Sequence, residues 1–380
     1  MIKILIITPF YRPAYKAGGP IKTIYNFIDQ LGEYFNLNIL TSDRDLGDKK
    51  PFSNVAINKW INIEKANIFY ASEKFRSFGK VKKAISLGNY DYIYINSFFS
   101  FDFSIKIVLL HKLGFIKNKI ILAPRGEFSP GALDIKGGKK NIFIFFSKIF
   151  GLYKNIIWHT TSEMESTHIR SIWGNNVKIR FAPNLGSKIM LKNNKPVKKQ
   201  KGSLKIVFLS RISVKKNLIY LLEILSSNLL NGEIELDIFG SLEDKTYYNK
   251  CMSVIKIIPK NIAVSYKGLI KPEEVISTLS KYHLFFFPTK GENFGHVILE
   301  ALSAGCPLLI SDQTPWRDLQ SKGVGWDINL ENKKDFARII EEAINWSQDE
   351  FNSYSKKSII FAKKSLNNFN ALDKYKTLFN

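Results

Sequence analysis

Short apolar runs alternate with longer amphipathic stretches, stop, and start again, and this rhythm constrains the 380-residue chain more than any other feature. In the first half the runs Ile2–Thr8, Leu37–Thr41, Tyr92–Asn96, Ile120–Ala123, Ile156–Thr160 and Val177–Ala182 read as strands, with helices such as Ile21–Tyr34 and Phe101–Leu113 between them. A strand buried on both faces shows a continuous apolar run, and strands separated by helices pair in parallel under two helical layers. From residue 184 to residue 203 the pattern fades into Asn, Gly and Pro with Lys188, Lys192, Lys195, Lys198, Lys199 and Lys201, the composition of a linker. The alternation resumes at Leu204–Leu209 and continues through Ile234–Phe239, Ala263–Tyr266, Leu284–Pro288 and Pro307–Ser311. The chain is therefore expected to be α/β, with two Rossmann-like, doubly wound parallel-sheet domains. Their bounds are 1–190, a linker 191–203, then 204–348, followed by a helical tail 349–380 that can pack back on the first domain. Open sheets bind ligands outside the carboxyl ends of their strands, so two such domains are expected to face an interdomain cleft.

The 45% apolar content supports full cores and excludes a disordered chain. Cys251 and Cys306 lie far apart without ligand spacing, which fits a reducing compartment and gives no metal site. Residues Met1 to Phe10 lack a basic leader and a small-residue cleavage site, and they read as a first strand, not a signal peptide. The net charge of +23 is uneven. Residues 1–200 hold 32 Lys and Arg against 13 Asp and Glu, leaving only +4 for the remainder. Such a field selects an anionic partner. No helix-turn-helix spacing, zinc finger or aromatic RNA-binding signature accompanies it, so an acidic membrane surface is expected and nucleic acid is not. The stretch from Asn141 to Trp158 carries Phe143, Phe145, Phe146 and Phe150 among lysines and is too short and interrupted to span a bilayer. Its pattern fits a helix lying in a membrane interface, and equally a core helix followed by a buried strand.

Function is written most densely in residues 285 to 305. An apolar run ends at Pro288, a Gly-bearing loop follows, and a helix opens near Gly295, so Glu292 sits in a loop and Glu300 on the helix. Uncompensated N–H groups and the positive dipole end at a helix start attract an anionic phosphate, and glycines let it approach. After the strand Leu204–Leu209, Arg211 and Lys216 place two cations at its carboxyl end, where a diphosphate leaving group needs its charge neutralised. The spacing Glu, seven residues, Glu within Gly-Glu-Asn-Phe-Gly resembles the signature of the retaining nucleotide-sugar glycosyltransferases of family 4.

That resemblance implies the GT-B fold and a donor held by Arg211, Lys216 and the residues Asn293, Phe294, Gly295, His296 and Val297. It further implies Glu300 on the ribose and Glu292 on the transferred sugar. Ser210 and Asn217 stand where the family usually has Gly. Gly18 and Gly19, before the helix at Ile21, match a family Gly pair near the donor phosphate. The loop Ala123-Pro124-Arg125-Gly126-Glu127 resembles one in the polysaccharide-assembly branch, which puts Arg125 and Glu127 on the acceptor side. Asn96 stands where many relatives have His, and it is expected to touch the transferred sugar. No catalytic role falls to His159, His168 or His283. The pair Asp43 and Asp45 around Arg44 reads as solvated turn acids, so no metal is expected.

The expected activity is transfer of a sugar from a nucleoside-diphosphate sugar, a co-substrate and not a cofactor, to a lipid-linked or saccharide acceptor. The expected place is the cytoplasmic face of a bacterial membrane, in O-antigen or capsule assembly. Two alternatives stand beside it. A nucleotide-sugar epimerase of the same fold would consume donor without an acceptor, and a basic nucleic-acid-binding protein would bind with strong salt dependence.

Overall fold

The computed structural model describes residues 1–134, 137–186, 197–227, 230–366 and 370–380, so the start of the expected linker, 191–196, lies outside the described residues. Two compact units emerge. One comprises Met1–Ser187 and Phe369–Asn380, the other Lys188–Asn368.

The first unit runs β1 (Lys3–Ile7), α1 (Gly19–Leu31), β2 (Asn36–Ser42), β3 (Trp60–Ile63), β4 (Ala66–Ala71), α2 (Phe78–Leu87), β5 (Tyr92–Asn96) and α3 (Lys106–Lys112). It continues with β6 (Lys119–Ala123), α4 (Pro130–Leu133), α5 (Gly137–Ile149), β7 (Ile157–Thr160), α6 (Glu163–Trp173) and β8 (Ile179–Phe181). Eight strands form one sheet in the order β3-β4-β2-β1-β5-β6-β7-β8. The expectation of a purely parallel sheet is corrected at its edge, where β3 pairs antiparallel with β4 through a turn with Glu64 at φ 55°. A turn this short can only reverse the chain, whereas a parallel neighbour needs a crossover. The helix expected over Phe101–Leu113 begins instead as a wide turn, Phe101–Ile105, in which the Ile105 amide donates to Ser100 O at 3.0 Å, and α3 follows.

Strand β5 shows how the core divides. Successive side chains point to opposite faces. Ile93 and Ile95 pack with Ile107, Val108, Ile144 and Ile169 beneath α3, α5 and α6, while Tyr92 and Tyr94 pack with Phe27 of α1 on the other face. That second face is completed from far away in sequence, by α13 (Asn370–Leu378) and the following Phe379. The Phe379 ring lies 5.6 Å from Tyr92 and 5.5 Å from Tyr94, edge-on to both, a favoured aromatic arrangement.

The second unit runs β9 (Ser203–Leu209), α7 (Leu218–Ser227), β10 (Glu233–Phe239), α8 (Lys245–Ile255), β11 (Ile262–Gly268) and α9 (Val275–Leu279). Then come β12 (Leu284–Phe287), α10 (His296–Ser303), β13 (Leu308–Ser311), β14 (Gly325–Ile328), α11 (Lys333–Ile344) and α12 (Gln348–Leu366). Its six strands are parallel in the order β11-β10-β9-β12-β13-β14. The tail expected from residue 349 therefore splits, with α12 in the second unit and α13 in the first. Strand β12 is wholly buried, and Phe286 stacks on Phe336 at 5.5 Å.

Both sheets reverse their strand order at one point. In the second unit β9 lies between β10 and β12, and in the first β1 lies between β2 and β5. Helices run to opposite faces on either side of such a point, which leaves a crevice at the carboxyl strand ends. The loops after β9, β12, β1 and β5 therefore decide what each unit can bind.

Candidate active site

In the second unit the loops after β9 and β12 are stitched to each other. The Lys290 amide donates to Lys215 O at 2.8 Å, and the Thr289 hydroxyl donates to the same oxygen at 3.2 Å. Asn217 donates from Nδ2 to Pro288 O at 3.0 Å. This stitching brings Lys216 of one loop onto Glu292 of the other as an ion pair with both side chains largely buried. The Lys216 ammonium also lies 5.4 Å from the centre of the Phe287 ring. Glu292 is anchored from its own backbone, whose amide donates to Gln313 O at 2.9 Å.

Gly295 then caps α10 at φ 74°, with no side chain acting as cap. A Cβ there would meet Ile298 Cδ1 at 2.7 Å, so both backbone and space call for glycine. Phe294 is fixed by Trp316, whose Nε1 donates to Phe294 O at 2.5 Å, and its ring lies 4.7 Å from that of His296. Glu300 is buried on α10, with Val297 one turn earlier and half-buried. The first-turn backbone of α10, the buried ammonium and the Glu292 carboxylate thus belong to one region at the reversal point. Arg211 is turned differently. It pairs with Glu243 at 2.9 Å, and both side chains are about one-third exposed, where an ion pair contributes little.

Asn217 has φ 60°, the left-handed region that Asn tolerates better than any β-branched residue. This fits an Asn at a position where the family resemblance leads one to expect Gly, the residue that adopts this conformation most freely. Asn217→Gly should lose only the bond to Pro288, about 0.5–1.5 kcal/mol. Asn217→Val adds a left-handed penalty of roughly 1–2 kcal/mol. Urea unfolding of both proteins measures the difference, and equal losses would show that the backbone conformation is not what selects Asn.

In the first unit Gly18 has φ 68° and precedes α1, which Gly19 and Pro20 open. The β1–α1 loop is held by Asp45, whose Oδ2 accepts from the Tyr15 and Lys16 amides at 2.8 and 3.1 Å. Asp43 accepts from Arg44 and Arg76. Both acids are buried in structural roles and are not the solvated turn acids expected. Among the described residues no group of three or more His, Cys, Asp or Glu is placed to hold a metal.

Asn96 and Arg125 meet directly. Asn96 Oδ1 accepts from Arg125 Nε at 3.0 Å and Nη2 at 2.6 Å. Arg125, itself at φ 56°, also donates to Asn184 Oδ1 at 3.0 Å and to the Tyr94 hydroxyl at 2.6 Å. Glu127 is committed elsewhere. Its carboxylate accepts from the Phe98 and Phe99 amides at 2.9 and 2.8 Å and from the Ser97 hydroxyl at 2.9 Å, which clamps the loop after β5. Burial pushes its pKa upward against these bonds.

Residues that the motif reading passed over complete this cluster. Glu165 accepts from the Gly126 and Thr161 amides, both at 2.8 Å, and so holds the Arg125 loop to the start of α6. The sequence signal was present as Ser162-x-x-Glu165, the pattern of a helix-capping box, with Ser162 Oγ accepting from the Glu165 amide at 3.2 Å. His159 is fully buried between the Tyr94 hydroxyl at 2.8 Å and Ala182 O at 2.9 Å. A carbonyl can only accept, so Nε2 carries the hydrogen and Nδ1 accepts from Tyr94. Desolvation pushes its pKa down to about 3, which keeps the ring neutral. His283 is likewise neutral, pushed down to about 4 by burial, between the Lys205 amide and Lys198 O. Both histidines are structural.

Comparison with known proteins agrees with this architecture. Residues 190–358 match the family model described as glycosyl transferases group 1. An uncharacterised 41.2 kDa protein of the cps region in Klebsiella pneumoniae is 24% identical over 266 residues, 68% of this chain and 71% of that protein. Sucrose-phosphate synthase from Thermosynechococcus elongatus superposes with a TM-score of 0.71 at 15% identity, over 100% of this chain and 99% of that one. Anabaena HepE in complex with UDP and glucose gives 0.68 at 14%, with 100% and 99% covered. A trehalose-phosphate synthase from Burkholderia xenovorans, in complex with glucose-6-phosphate, gives 0.68 at 10%, with both chains fully covered. The second unit is thus similar to the glycosyl transferases group 1 model over residues 190–358, and the chain has the two-sheet GT-B fold.

Proposed function

We propose that this protein is a retaining glycosyltransferase that moves a sugar from a nucleoside-diphosphate sugar to a hydroxyl of a lipid-linked or saccharide acceptor. It would act in surface-polysaccharide assembly at the inner membrane face. The observation that carries the reading is the buried Lys216–Glu292 pair beside α10, at the point where the second sheet reverses its strand order. An ammonium held there can neutralise a diphosphate leaving group, and the α10 start adds backbone N–H donors from the Phe294–Val297 stretch. Arg211 supplies a second cation once it leaves Glu243, and Glu300 accepts from the ribose. Glu292 accepts from hydroxyls of the transferred sugar. In the first unit Gly18 and Gly19 leave backbone room at the start of α1 for a substrate group, and Asn96 with Arg125 forms the acceptor side.

Three comparisons support the donor and acceptor classes. HepE is known in complex with UDP-glucose, the Burkholderia enzyme with a sugar phosphate, and the Klebsiella relative comes from a cps region. No metal or organic cofactor is invoked, because Lys216 and Arg211 supply the positive charge.

A thermal-shift panel of UDP-, GDP- and dTDP-sugars in excess chelator tests the reading. One nucleotide class should stabilise the protein by about 2.7 kcal/mol at a hundredfold excess over Kd, roughly 3–4 °C for a chain of this length. Product analysis with an acceptor should then show transfer. Donor isomerised without an acceptor would identify an epimerase, and salt-sensitive DNA binding without nucleotide-sugar binding would identify a nucleic-acid protein.

A further inference from the structure

Helix α5 is apolar on two sides. Ile144 and Ser147 are buried inward, and Phe143 packs against the same core. On the outer side Ile142, Phe145, Phe146, Ile149 and the following Phe150 recur at helical spacing and are 49–68% exposed. A helix of a globular unit needs one apolar stripe, and this second stripe stays exposed among the described residues of its unit. It is also continuous. Phe145 lies 5.5 Å from Phe146, and Phe146 stacks on Phe150 at 6.4 Å.

The charge around the stripe has one sign. Between Asp134 and Glu163 the sequence holds five lysines and no acid, and Lys139, Lys148 and Lys154 are exposed. Helix α3 extends the field, since Lys112 Nζ would lie 3.6 Å from a Cβ placed on Gly151, next to Phe150. No acid occurs between Asp102 and Glu127, nor within α2. The opposite helical layer is not depleted in this way, for α1 carries Asp29 and α13 carries Asp373.

We propose that the outer face of α5, continued by the end of α3, docks on an anionic lipid bilayer. Its phenyl rings would sit at the acyl boundary and its lysines at the headgroup phosphates. This arrangement is what an interfacial helix requires, with apolar anchors and a basic surround. A second copy of the chain fits less well, because a self-complementary contact through this face would set lysines against lysines. The proposal deepens the transferase reading and rests on it for its biological sense, since a lipid-linked acceptor is presented at such a surface. The geometry also couples the face to the acceptor side. The inner Phe143 ring lies 5.7 Å from Phe98 and 6.2 Å from Phe99, whose amides Glu127 holds.

Co-sedimentation with phosphatidylglycerol–phosphatidylcholine vesicles, against phosphatidylcholine alone, tests it. The full chain should bind the anionic vesicles at least ~10-fold better, and added salt should release it. Phe145→Ser/Phe146→Ser/Phe150→Ser and Lys139→Glu/Lys148→Glu should each lose at least ~10-fold in partitioning. All five positions are exposed, so circular dichroism and the nucleotide-sugar thermal shift should stay as in the wild type. Loss of the thermal shift in the wild type would sink the transferase reading alone. Equal wild-type binding to both vesicles, binding to neither, or unchanged binding by both variants would overturn the docking surface. A dimer that the Phe variant dissociates, without vesicle binding, would also overturn it and assign the face to self-association.

Discussion

Purified Glu292→Ala protein should remain folded and transfer sugar at least ~10²-fold more slowly than the wild type, with the loss in kcat and not in KM alone. Glu292 is fixed by its own amide on Gln313 and by its ion pair with Lys216, and it supports no part of the hydrophobic core. Removing it leaves a largely buried ammonium whose counter-charge must then come from the donor diphosphate. The Glu292→Ala protein should therefore bind free nucleoside diphosphate at least as tightly as the wild type while failing to turn it over. Lys216→Ala should do the opposite and weaken diphosphate binding by roughly 1.5–3 kcal/mol, the contribution of one charge-assisted hydrogen bond. Calorimetric titration of diphosphate into both proteins, beside steady-state kinetics, separates the two roles. Normal turnover in Glu292→Ala would remove the residue from the reaction, and unchanged affinity in Lys216→Ala would place the phosphate elsewhere.

The second large effect concerns a residue with no chemistry of its own. Gly240→Ala should destabilise the protein by at least about 3 kcal/mol. Gly240 has φ 143°, and a Cβ there would lie 1.7 Å from Ser210 O and 2.6 Å from Ser210 C. Those atoms are backbone at the carboxyl end of β9, tied to β10 through the Ser210 amide on Phe239 O at 3.0 Å, and cannot rotate away. Gly268→Ala is the control. It too has positive φ, 77°, but nothing lies within 4 Å of its Cβ position, so only the backbone penalty of roughly 1–2 kcal/mol applies. Chemical denaturation of the two variants should show the gap. Equal losses would mean that conformation and not crowding makes position 240 a glycine. Because Arg211 follows Ser210 directly, Gly240→Ala should also impair diphosphate binding more than Gly268→Ala does.

The parts of this molecule that could be read from sequence are those written locally. Continuous apolar runs such as Leu284–Phe287 mark strands buried on both faces, and a cation or carboxylate just beyond such a run falls at a carboxyl strand end by construction. Lys216 and Glu292 were legible for that reason. Strand β3 was not, because the edge strand Trp60–Ile63 is largely exposed and carries no core pattern. Strand β14 is four residues long and opens on Gly325, whose missing side chain lets the backbone approach Leu308. Of the cluster around Arg125, only Asn96 and Glu127 stood out beside it in the sequence, and the arrangement did not. Its partners Tyr94, Asn96 and Asn184 lie 29–59 residues away, and only the folded sheet shows that the guanidinium faces them. Glu127 illustrates the limit most clearly. A carboxylate in a loop after a strand reads as a ligand-binding group, and only its three bonds to residues 97–99 show that it clamps a loop.

Helix α13, which follows the second unit in sequence, closes the core of the first. Tyr375 and Phe379 fill the space against Phe27, and Phe379 also meets Phe35 on its edge at 5.4 Å. On the ribosome this order has a temporal meaning. The second unit is synthesised entire before residues 370–380 are made, whereas the sheet of the first unit waits with one apolar face covered only in part, by α1, through the synthesis of some 180 further residues. The first unit thus completes its core only after the whole chain of the second has been made.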